Sequence, residues 1–451
     1  MEFSPAIRDV LSSFKIEEAK LREISKKLRG EFILGLEQGR PASSVAMLPT
    51  FVPELPDGSE SGTYVAIDLS GKNLRFLLLR AFVAREPDVL NSNVMVPEQV
   101  MHGTGDQLFT FIVNSARKFL SENGLEGSEV RVGFVFSYPC ELDSVRSARL
   151  LWWTKGFDID DCLQQDVVQL LEQAMDMSMS TVRGRVAAVM NDTVGQLAAA
   201  AHHYGPDCVA GVVIGYGCNS AYLEKTENIR KFDANSHSYA HPNMVVVTEW
   251  EEFGAKGELN DILTSYDREV DAHSVHKGKQ IVDKLTGALY LGEIVRLVLL
   301  DLCQEGHLFS GLSCEALDTP HAFPSKFISE ILSDEDVTFK NCRRVCDELG
   351  LSLHGGADYC AMKAVCYAVS RRSAAIAASA IAALLEHMDR RRVTIGVGGA
   401  LIQFNPVYMT ILEDQLKILA PKSVQWKIVL AVEGSARGAA LIAAVVDKLG
   451  L

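Results

Sequence analysis

The chain has 451 residues, of which 48% are apolar and 23% are charged, and its formal net charge is −14. This length accommodates about two to three domains, and the composition is ordinary for a globular protein. The acidic charge disfavours non-specific binding to nucleic acid, which depends on Lys and Arg side chains that neutralise phosphates. We therefore expect no direct nucleic-acid partner.

The cysteines and the apolar runs bear on the cellular location. Ten cysteines are scattered along the chain, and Cys342 and Cys346 have no second Cys or His pair at zinc spacing. This pattern is typical of reduced, packed thiols in a cytosolic protein. The sequence shows neither an apolar run of transmembrane length nor a secretory signal. We predict a cytoplasmic location without membrane insertion, and nuclear entry is left open.

Hydrophobic periodicity and turn residues predict an alternation of helices and strands. In chain order they are a helix over 6–38, a linker over 47–62, strands over 64–68 and 74–80, a helix over 107–120, a strand over 130–136, a helix over 166–176, a strand over 186–190, a helix from 196, strands over 209–214 and 245–247, helices over 281–303 and 364–388, a strand over 393–397 and a helix over 439–449.

One carboxylate stands out at the end of a predicted buried strand. Asn191 and Asp192 follow the strand over 186–190 and precede a helix. Open α/β folds place their chemistry at such strand ends, which makes Asp192 a candidate general base for a substrate hydroxyl. Asp is also a favoured helix N-cap, and these residues alone do not decide between the two roles.

Two predicted strand–turn–strand units flank this carboxylate in the sequence. The first turn follows Asp68 and contains Gly71, and the second contains Gly215 and Gly217. Such turns can present N–H groups to a phosphate, although tight hairpins favour the same residues for conformational reasons. The repetition suggests two lobes around a cleft.

Several motifs, taken together and in order, resemble those of eukaryotic hexokinases, particularly those of fungal type. The matching stretches are Ile67-Asp68-Leu69, Phe136-Ser137-Tyr138-Pro139-Cys140-Glu141, Trp153-Thr154-Lys155-Gly156-Phe157, Asn191-Asp192-Thr193-Val194-Gly195, Thr248-Glu249-Trp250, Tyr290-Leu291-Gly292-Glu293-Ile294-Val295-Arg296 and Gly438-Ala439-Ala440-Leu441. The resemblance covers essentially the whole chain. It implies an α/β, actin-like fold with two lobes around a sugar-binding cleft. The small lobe would comprise 62–192 and the C-terminal helix 435–451, and the large lobe would comprise 1–61 and 193–434.

The resemblance also implies roles for individual residues. Asp192 would activate the 6-hydroxyl of a hexose such as glucose, and Asp68 would organise magnesium through the phosphates of Mg-ATP. The implied hexose contacts are Ser137, Thr154, Lys155, Asn191, Asp192, Asn219, Glu249 and Asp283. The implied nucleotide contacts are Asp68, Ser70, Gly71, Lys72, Asn73, Arg75, Gly215, Tyr216, Gly217, Gly398, Gly434 and Ser435.

The chain departs from the family pattern mainly on the nucleotide side. Ser70 and Lys72 stand where the family has Gly and Thr, and Tyr216 replaces a Thr. We expect Ser70 to occupy a position that needs glycine's freedom, and the Tyr216 ring to displace a small hydroxyl. Each lost phosphate donor would cost roughly a hundred- to thousand-fold in rate, while Lys72 offers a compensating cation. On the sugar side, Asp283 replaces a Glu.

These departures lead to a hypothesis of a hexose-binding protein with little or no phosphoryl transfer. Such a protein would act in sugar sensing, through a regulatory protein partner that reads its closed form. The alternatives are an active ATP-dependent hexokinase for glycolysis and a sugar kinase of shifted specificity. Glu251 and Glu252 replace small residues beside the sugar site, and with Asp283 they motivate the last alternative.

Overall fold

Two β-sheets carry the loops that matter for function. A computed structural model of the chain describes residues 3–83, 85–126, 128–177, 183–235, 239–335, 338–431 and 434–451. Its strands are β1 (Leu48–Pro49), β2 (Gly62–Ser70), β3 (Asn73–Phe82), β4 (Arg85–Met95), β5 (Glu129–Phe136), β6 (Cys140–Ser144), β7 (Ser147–Leu150), β8 (Arg183–Met190), β9 (Cys208–Ile214), β10 (Cys218–Lys225), β11 (Asn243–Val247), β12 (Arg392–Gly398) and β13 (Gln425–Leu430).

Helices cover both sheets and form most of the C-terminal half. They are α1 (Pro5–Ser13), α2 (Glu18–Gln38), α3 (Glu98–Met101), α4 (Gly105–Glu122), α5 (Val167–Met177), α6 (Asp192–Tyr204), α7 (Ser265–Ala272), α8 (Ile281–Thr286), α9 (Ala288–Gln304), α10 (Glu315–Asp318), α11 (Lys326–Leu332), α12 (Lys340–Leu349), α13 (Gly356–His387), α14 (Ala400–Phe404), α15 (Tyr408–Leu419) and α16 (Gly434–Leu449).

The first sheet has the strand order β4-β3-β2-β5-β8. Strands β2, β5 and β8 are parallel, and β3 and β4 extend the sheet as antiparallel hairpins. Because carboxyl ends of parallel strands meet at one edge, the residues after β2, β5 and β8 lie together. That edge carries Ser70, Ser137 and Asn191.

The second sheet has the strand order β1-β11-β10-β9-β12-β13. Strand β12 is parallel to β9 and β13, whereas β10 is antiparallel to β9 and β11. The carboxyl ends of β9, β11 and β12 therefore share one edge. The β9–β10 turn, Glu249 and Gly398 lie along it.

The helices α6 and α16 join the two halves of the molecule. Helix α16 packs against β2, β3, β5, β8 and α6, and α6 also packs against β9 and β12. Strands β6 and β7 form a separate two-stranded sheet. The lobe limits 62–192 with 435–451, and 1–61 with 193–434, stay a prediction.

Several element boundaries differ from those predicted. The helix over 6–38 is two helices, α1 and α2, and the helix over 281–303 is broken between α8 and α9 at Gly287. A Cβ at Gly287 would lie 2.3 Å from the carbonyl oxygen of Tyr216, so glycine permits this close approach. Strands β4 and β13 were not predicted, and the linker over 47–62 contains β1.

Helix α13 was expected over 364–388 and begins earlier, at Gly356. It is long and apolar enough to cross a membrane, but 94% of its most apolar window is buried inside the protein. It packs against α2, α8, α9, α11 and α15, as the central helix of the larger hydrophobic core.

Candidate active site

A buried carboxylate organises the edge of the first sheet. Asp68, at 0% exposure, accepts a hydrogen bond from the Ser435 hydroxyl at 2.6 Å and another from the Ser70 hydroxyl. The Ser70 oxygen lies 3.0 Å from the Ser137 oxygen. Burial raises the pKa of Asp68, and the two serine hydrogen bonds oppose that shift. One network therefore joins β2, the loop after β5 and the start of α16.

Asp192 is the first residue of α6, but it does not cap the helix. The N-cap is Asn191, whose Oδ1 accepts from the Thr193 backbone N–H at 3.0 Å and from its hydroxyl at 2.9 Å. The Asp192 side chain is partly buried, and within the described ranges its carboxylate has no hydrogen bond or ion pair. Its charge raises the pKa of Asp68 and of Asp283. The Asp192 carboxylate is therefore available to a ligand.

Lys155 and Thr154 come from the loop before α5. Lys155 adopts a positive φ of 57°, and its Nζ donates to the carbonyl oxygen of Ser137 at 2.8 Å. The aromatic cluster of Tyr138, Trp153 and Phe157 packs beneath this loop, with ring centroids 4.9 to 5.4 Å apart. The cluster fixes the loop against the sheet, so the lysine and Ser137 keep a defined relation.

The second sheet supplies an amide and a carboxylate. Asn219, on β10, donates from Nδ2 to Glu249 Oε1 at 2.9 Å, and its Oδ1 accepts from the Glu249 N–H at 3.1 Å. Glu249 has a left-handed backbone, with φ of 57°. Arg40, which sequence reasoning missed, places its guanidinium 3.7 Å from Glu249 and 3.5 Å from Glu252. The two hydrogen bonds between Asn219 and Glu249 hold both polar side chains in one orientation.

Asp283 lies on α8 behind the β9–β10 turn. Its Oδ1 accepts from the Cys218 backbone N–H at 2.7 Å. Burial raises the pKa of Asp283 to about 7, Glu249 and Asp192 add to the shift, and Lys155 opposes it. These interactions link Asp283 electrostatically to residues of both sheets.

Glu251 adds another carboxyl to this region. Its Oε2 is buried and has no hydrogen-bond partner in the part of the chain that the structure describes. Burial and the nearby Glu249 and Asp283 raise the pKa of Glu251 well above its usual value. An unpaired carboxyl in such surroundings is favoured in its neutral form.

The predicted nucleotide turns lie at the same two sheet edges. Gly71 has a positive φ of 69°, and the register pairs Ser70 with Asn73 across the β2–β3 turn. Lys72 and Arg75 are exposed. In the second sheet, a Cβ at Gly217 would lie 2.6 Å from Asp283, and one at Gly398 would lie 2.1 Å from Gln196. Backbone therefore approaches side chains closely at both positions.

The remaining predicted turn opens α16. Gly434 has a positive φ of 66°, and the following Ser435 donates to Asp68. The groups that would meet Mg-ATP in this arrangement are Asp68 and the backbone N–H groups of the glycine turns. One carboxylate suits magnesium, which keeps most of its ligands as water and substrate phosphate. Among the described residues there is no cluster of three or more His, Cys, Asp or Glu side chains that could hold a metal by itself.

Comparisons with known proteins agree along the whole chain. Two family models described as hexokinase match residues 6–202 and 209–445. The hexokinase of Brugia malayi is 39% identical over 98% of this chain and 78% of its own length. Hexokinase-1 of Homo sapiens is 38% identical over 98% of this chain and 48% of its own length.

The chain belongs to the hexokinase family. Its fold superposes on that of the hexokinase from Schistosoma mansoni complexed with glucose, with a TM-score of 0.90 at 32% identity, over 97% of this chain and 98% of that one. The predicted mixed α/β hexokinase fold is confirmed. The chain spans about half the length of the human relative. The finer likeness to fungal-type hexokinases and the ligand role of each site residue stay predictions.

One physical argument against a working hexokinase phosphate site is wrong. Ser70 ends β2 and is not among the positive-φ residues, so the position does not need glycine's freedom, which Gly71 provides instead. The Tyr216 side chain is 70% exposed, so it is not packed into the protein, and the displacement of a small hydroxyl by its ring stays a prediction.

One hexokinase motif has a structural explanation. In Tyr290–Arg296, the Arg296 guanidinium makes a buried bidentate pair with Glu293, at 2.6 and 2.8 Å. Glu293 also accepts from the His321 N–H at 2.7 Å. This motif ties α9 to the loop after α10 and lies outside the candidate site.

Proposed function

We propose that this chain is an ATP-dependent hexokinase that transfers a phosphoryl group to the 6-hydroxyl of glucose or a related hexose. The observation that carries the proposal is the Asp192 carboxylate, which has no hydrogen bond or ion pair among the described residues and follows the N-cap Asn191. Burial is the main cause of the raised pKa of Asp283, and Glu249 and Asp192 both raise it further. The position of Asp192 suits a base that accepts the hydroxyl proton.

In this mechanism the chain's own side chains position the reactants. The amide of Asn219 and the carboxylate of Glu249 hold each other and would hold hexose hydroxyls, together with Asn191, Ser137, Thr154, Lys155 and Asp283. Asp192 takes the proton of the attacking hydroxyl. Mg-ATP enters as substrate, and its magnesium neutralises phosphate charge near Asp68. Such reactions depend on positioning and charge stabilisation, which the rigid network around Asp68 supports.

A second candidate is a hexose-binding protein with low turnover, which acts in sugar sensing with a protein partner. Lys72 and Tyr216 favour it, because both replace the small hydroxyl residues of the family turns. The ordinary backbone of Ser70 removes one argument for impaired phosphate binding, and the relatives that match over 98% of this chain are named hexokinases. The active enzyme is therefore the better supported function. We also propose a cytoplasmic location.

The test is a coupled kinase assay with glucose, fructose, mannose and glucosamine, run beside calorimetric binding of each sugar. An active hexokinase turns over at about 10 per second or faster. Tight glucose binding without turnover supports the second candidate. A preference for glucosamine supports a kinase of shifted specificity, for which the carboxyls of Glu251 and Asp283 are the motivating feature.

The triple variant Ser70→Gly, Lys72→Thr and Tyr216→Thr separates the two main candidates further. For an active enzyme we expect its kcat to stay within about tenfold of the parent, because an enzyme that already transfers phosphate does not depend on regaining the family residues. A rise of about a hundredfold or more, the effect of regaining a phosphate donor, would support the impaired protein instead.

A further inference from the structure

Ser70 connects the proposed hexose side of the candidate site with its proposed phosphate side. Its hydroxyl contacts Asp68 Oδ1, and its oxygen lies 3.0 Å from the Ser137 oxygen. Ser137 is buried and follows β5, whereas Ser70 ends β2. The family pattern has glycine at position 70, which offers no hydroxyl. The bridge between Asp68 and Ser137 is therefore a feature of this chain.

The direction of the hydrogen bonds follows from the number of protons. An ionised carboxylate only accepts, and a serine hydroxyl carries a single proton. With Asp68 ionised, which the two serine hydrogen bonds and the Arg75 charge favour against its burial, Ser70 donates its proton to Asp68, and Ser435 donates to the other carboxylate oxygen at 2.6 Å. The Ser70 oxygen can then only accept, so the proton between Ser70 and Ser137 belongs to Ser137.

This direction determines what Ser137 offers to a ligand. Its one proton is committed to Ser70, and its backbone carbonyl already accepts from Lys155 Nζ at 2.8 Å. Only the lone pairs of the hydroxyl oxygen remain. A serine without such a neighbour could rotate and either donate or accept.

We propose that Ser70 is a positioning residue that turns Ser137 into a hydrogen-bond acceptor, so that Ser137 selects a ligand hydroxyl that donates. The ligand class is a polyol such as a hexose, and the proposal rests on the proposed hexose site. The proposal states that Ser137 accepts rather than donates in one sugar contact. It also links that contact, through Ser70, to the Asp68 carboxylate on the proposed phosphate side.

The experiment measures binding by calorimetry, with glucose and with analogues in which each hydroxyl in turn is replaced by hydrogen or by fluorine. Fluorine can accept a weak hydrogen bond but cannot donate one. In the parent protein, at the hydroxyl that meets Ser137, both analogues should bind equally poorly, about two- to tenfold weaker than glucose. In Ser70→Ala, the fluoro analogue should bind at least about twofold tighter than the deoxy analogue, because Ser137 is free to donate.

Three variants make the result specific. Ser70→Thr keeps the hydroxyl and should restore the parent profile. Ser70→Gly carries the family residue and serves if the alanine variant does not fold. When Ser137→Ala is added to the parent and to Ser70→Ala, the two proteins should show the same fluoro-to-deoxy ratio at every position. A purely structural role of Ser70 would lower the affinity for all analogues alike and would not change their ratio.

The outcomes distinguish this inference from the proposed function. If glucose binds and the fluoro-to-deoxy ratio is the same in the parent and in Ser70→Ala at every position, the inference is wrong while the hexose site stands. The inference is also wrong if one fluoro analogue binds the parent as tightly as glucose does and this tight binding is lost in Ser137→Ala, because Ser137 then donates to that position. Absence of glucose binding in the parent overturns both.

Discussion

Asp192 gains its proposed role from its neighbour. Asn191 supplies the helix cap, with its Oδ1 bonded to the N–H and hydroxyl of Thr193. The Asp192 carboxylate is therefore not needed for the helix, and it lies close enough to Asp68 and Asp283 to raise the pKa of both.

Replacement of this carboxylate should separate catalysis from stability. We expect Asp192→Asn to lower kcat by about a hundred- to ten-thousand-fold, because an amide cannot accept the proton. The melting temperature should stay close to that of the parent, since Asn191 still caps α6. Kinase assays and thermal unfolding measure the two effects. The matched control is Asp414→Asn on α15, an exposed residue paired with Lys417, which should change neither; a fully active Asp192→Asn would place the base elsewhere.

Asp283 should make the stability depend on pH. Burial raises its pKa to about 7, so between about pH 4 and pH 7 the folded protein keeps a proton that the unfolded chain has lost. Its contribution is fully present below pH 4, and it is lost as the pH rises towards 7. We expect Asp283→Asn to flatten the pH profile of the unfolding free energy by up to about 1.4 kcal/mol per pH unit.

Denaturant unfolding from pH 4 to pH 8 measures that effect. The pKa of Glu251 is also raised, mainly by burial and in part by the nearby Asp283, so the variant removes that part of the Glu251 shift together with the Asp283 carboxyl. The informative quantity is therefore the difference between the variant and the parent. Parallel profiles would mean that the Asp283 carboxyl is ionised in the folded protein throughout this range.

At the scale of elements, the crossing of α6 and α16 holds the site together. Helix α6 begins with Asp192, and α16 carries Ser435, the donor to Asp68. The helices touch through backbone, because a Cβ at Gly438 would lie only 1.7 Å from the carbonyl oxygen of Gly195. A side chain at this contact forces the helices apart and shifts both ends of the site.

We therefore expect Gly438→Ala to destabilise the protein by at least about 2 kcal/mol, as overpacked cores do. Gly30→Ala on α2 is the matched control, since nothing lies within 4 Å of a Cβ there. It should be neutral or stabilise the protein by up to about 1 kcal/mol. Chemical unfolding of both variants tests this, and equal stabilities would show that the helices yield at the crossing.

At the scale of the whole molecule, both sheets contribute to one site. Lys155 precedes α5 and lowers the pKa of Asp283 on α8, against the shift due to burial. Ser137 and Asn191 follow strands of the first sheet, whereas Asn219 and Glu249 belong to the second. A hexose held by both sets would tie the two halves together.

Glucose should consequently stabilise the entire chain. At a concentration of one hundred times Kd the gain is about 2.7 kcal/mol, which thermal unfolding detects. Asn219→Ala should lose most of it, because Glu249 then has no amide partner. Small-angle scattering should show a smaller radius of gyration with glucose if the halves close. No stabilisation of the parent by any hexose would contradict a shared sugar site.

Local patterns were sufficient to place Asp192, Ser137 and the glycine turns at strand ends, because apolar runs and the residues that stop them are encoded within a few positions. The order of the motifs along the chain also identified the family and hence the fold. The backbone conformation at Ser70 was predicted wrongly. It depends on the geometry of the β2–β3 turn, which the packing of residues distant in the chain determines.

The sequence alone determined which side chains stand at the strand ends and which family the chain belongs to. Only the tertiary structure decided that Asn191 rather than Asp192 caps α6, that Gly287 breaks a helix against Tyr216, and that Ser70 bridges Asp68 to Ser137. For the close approach and the bridge, the physical reason is distance along the chain, because the partners are far apart, as in the Ser435–Asp68 bond at 367 positions. The cap is local, but Asn191 and Asp192 are both favoured N-cap residues, so only the side-chain geometry decides between them.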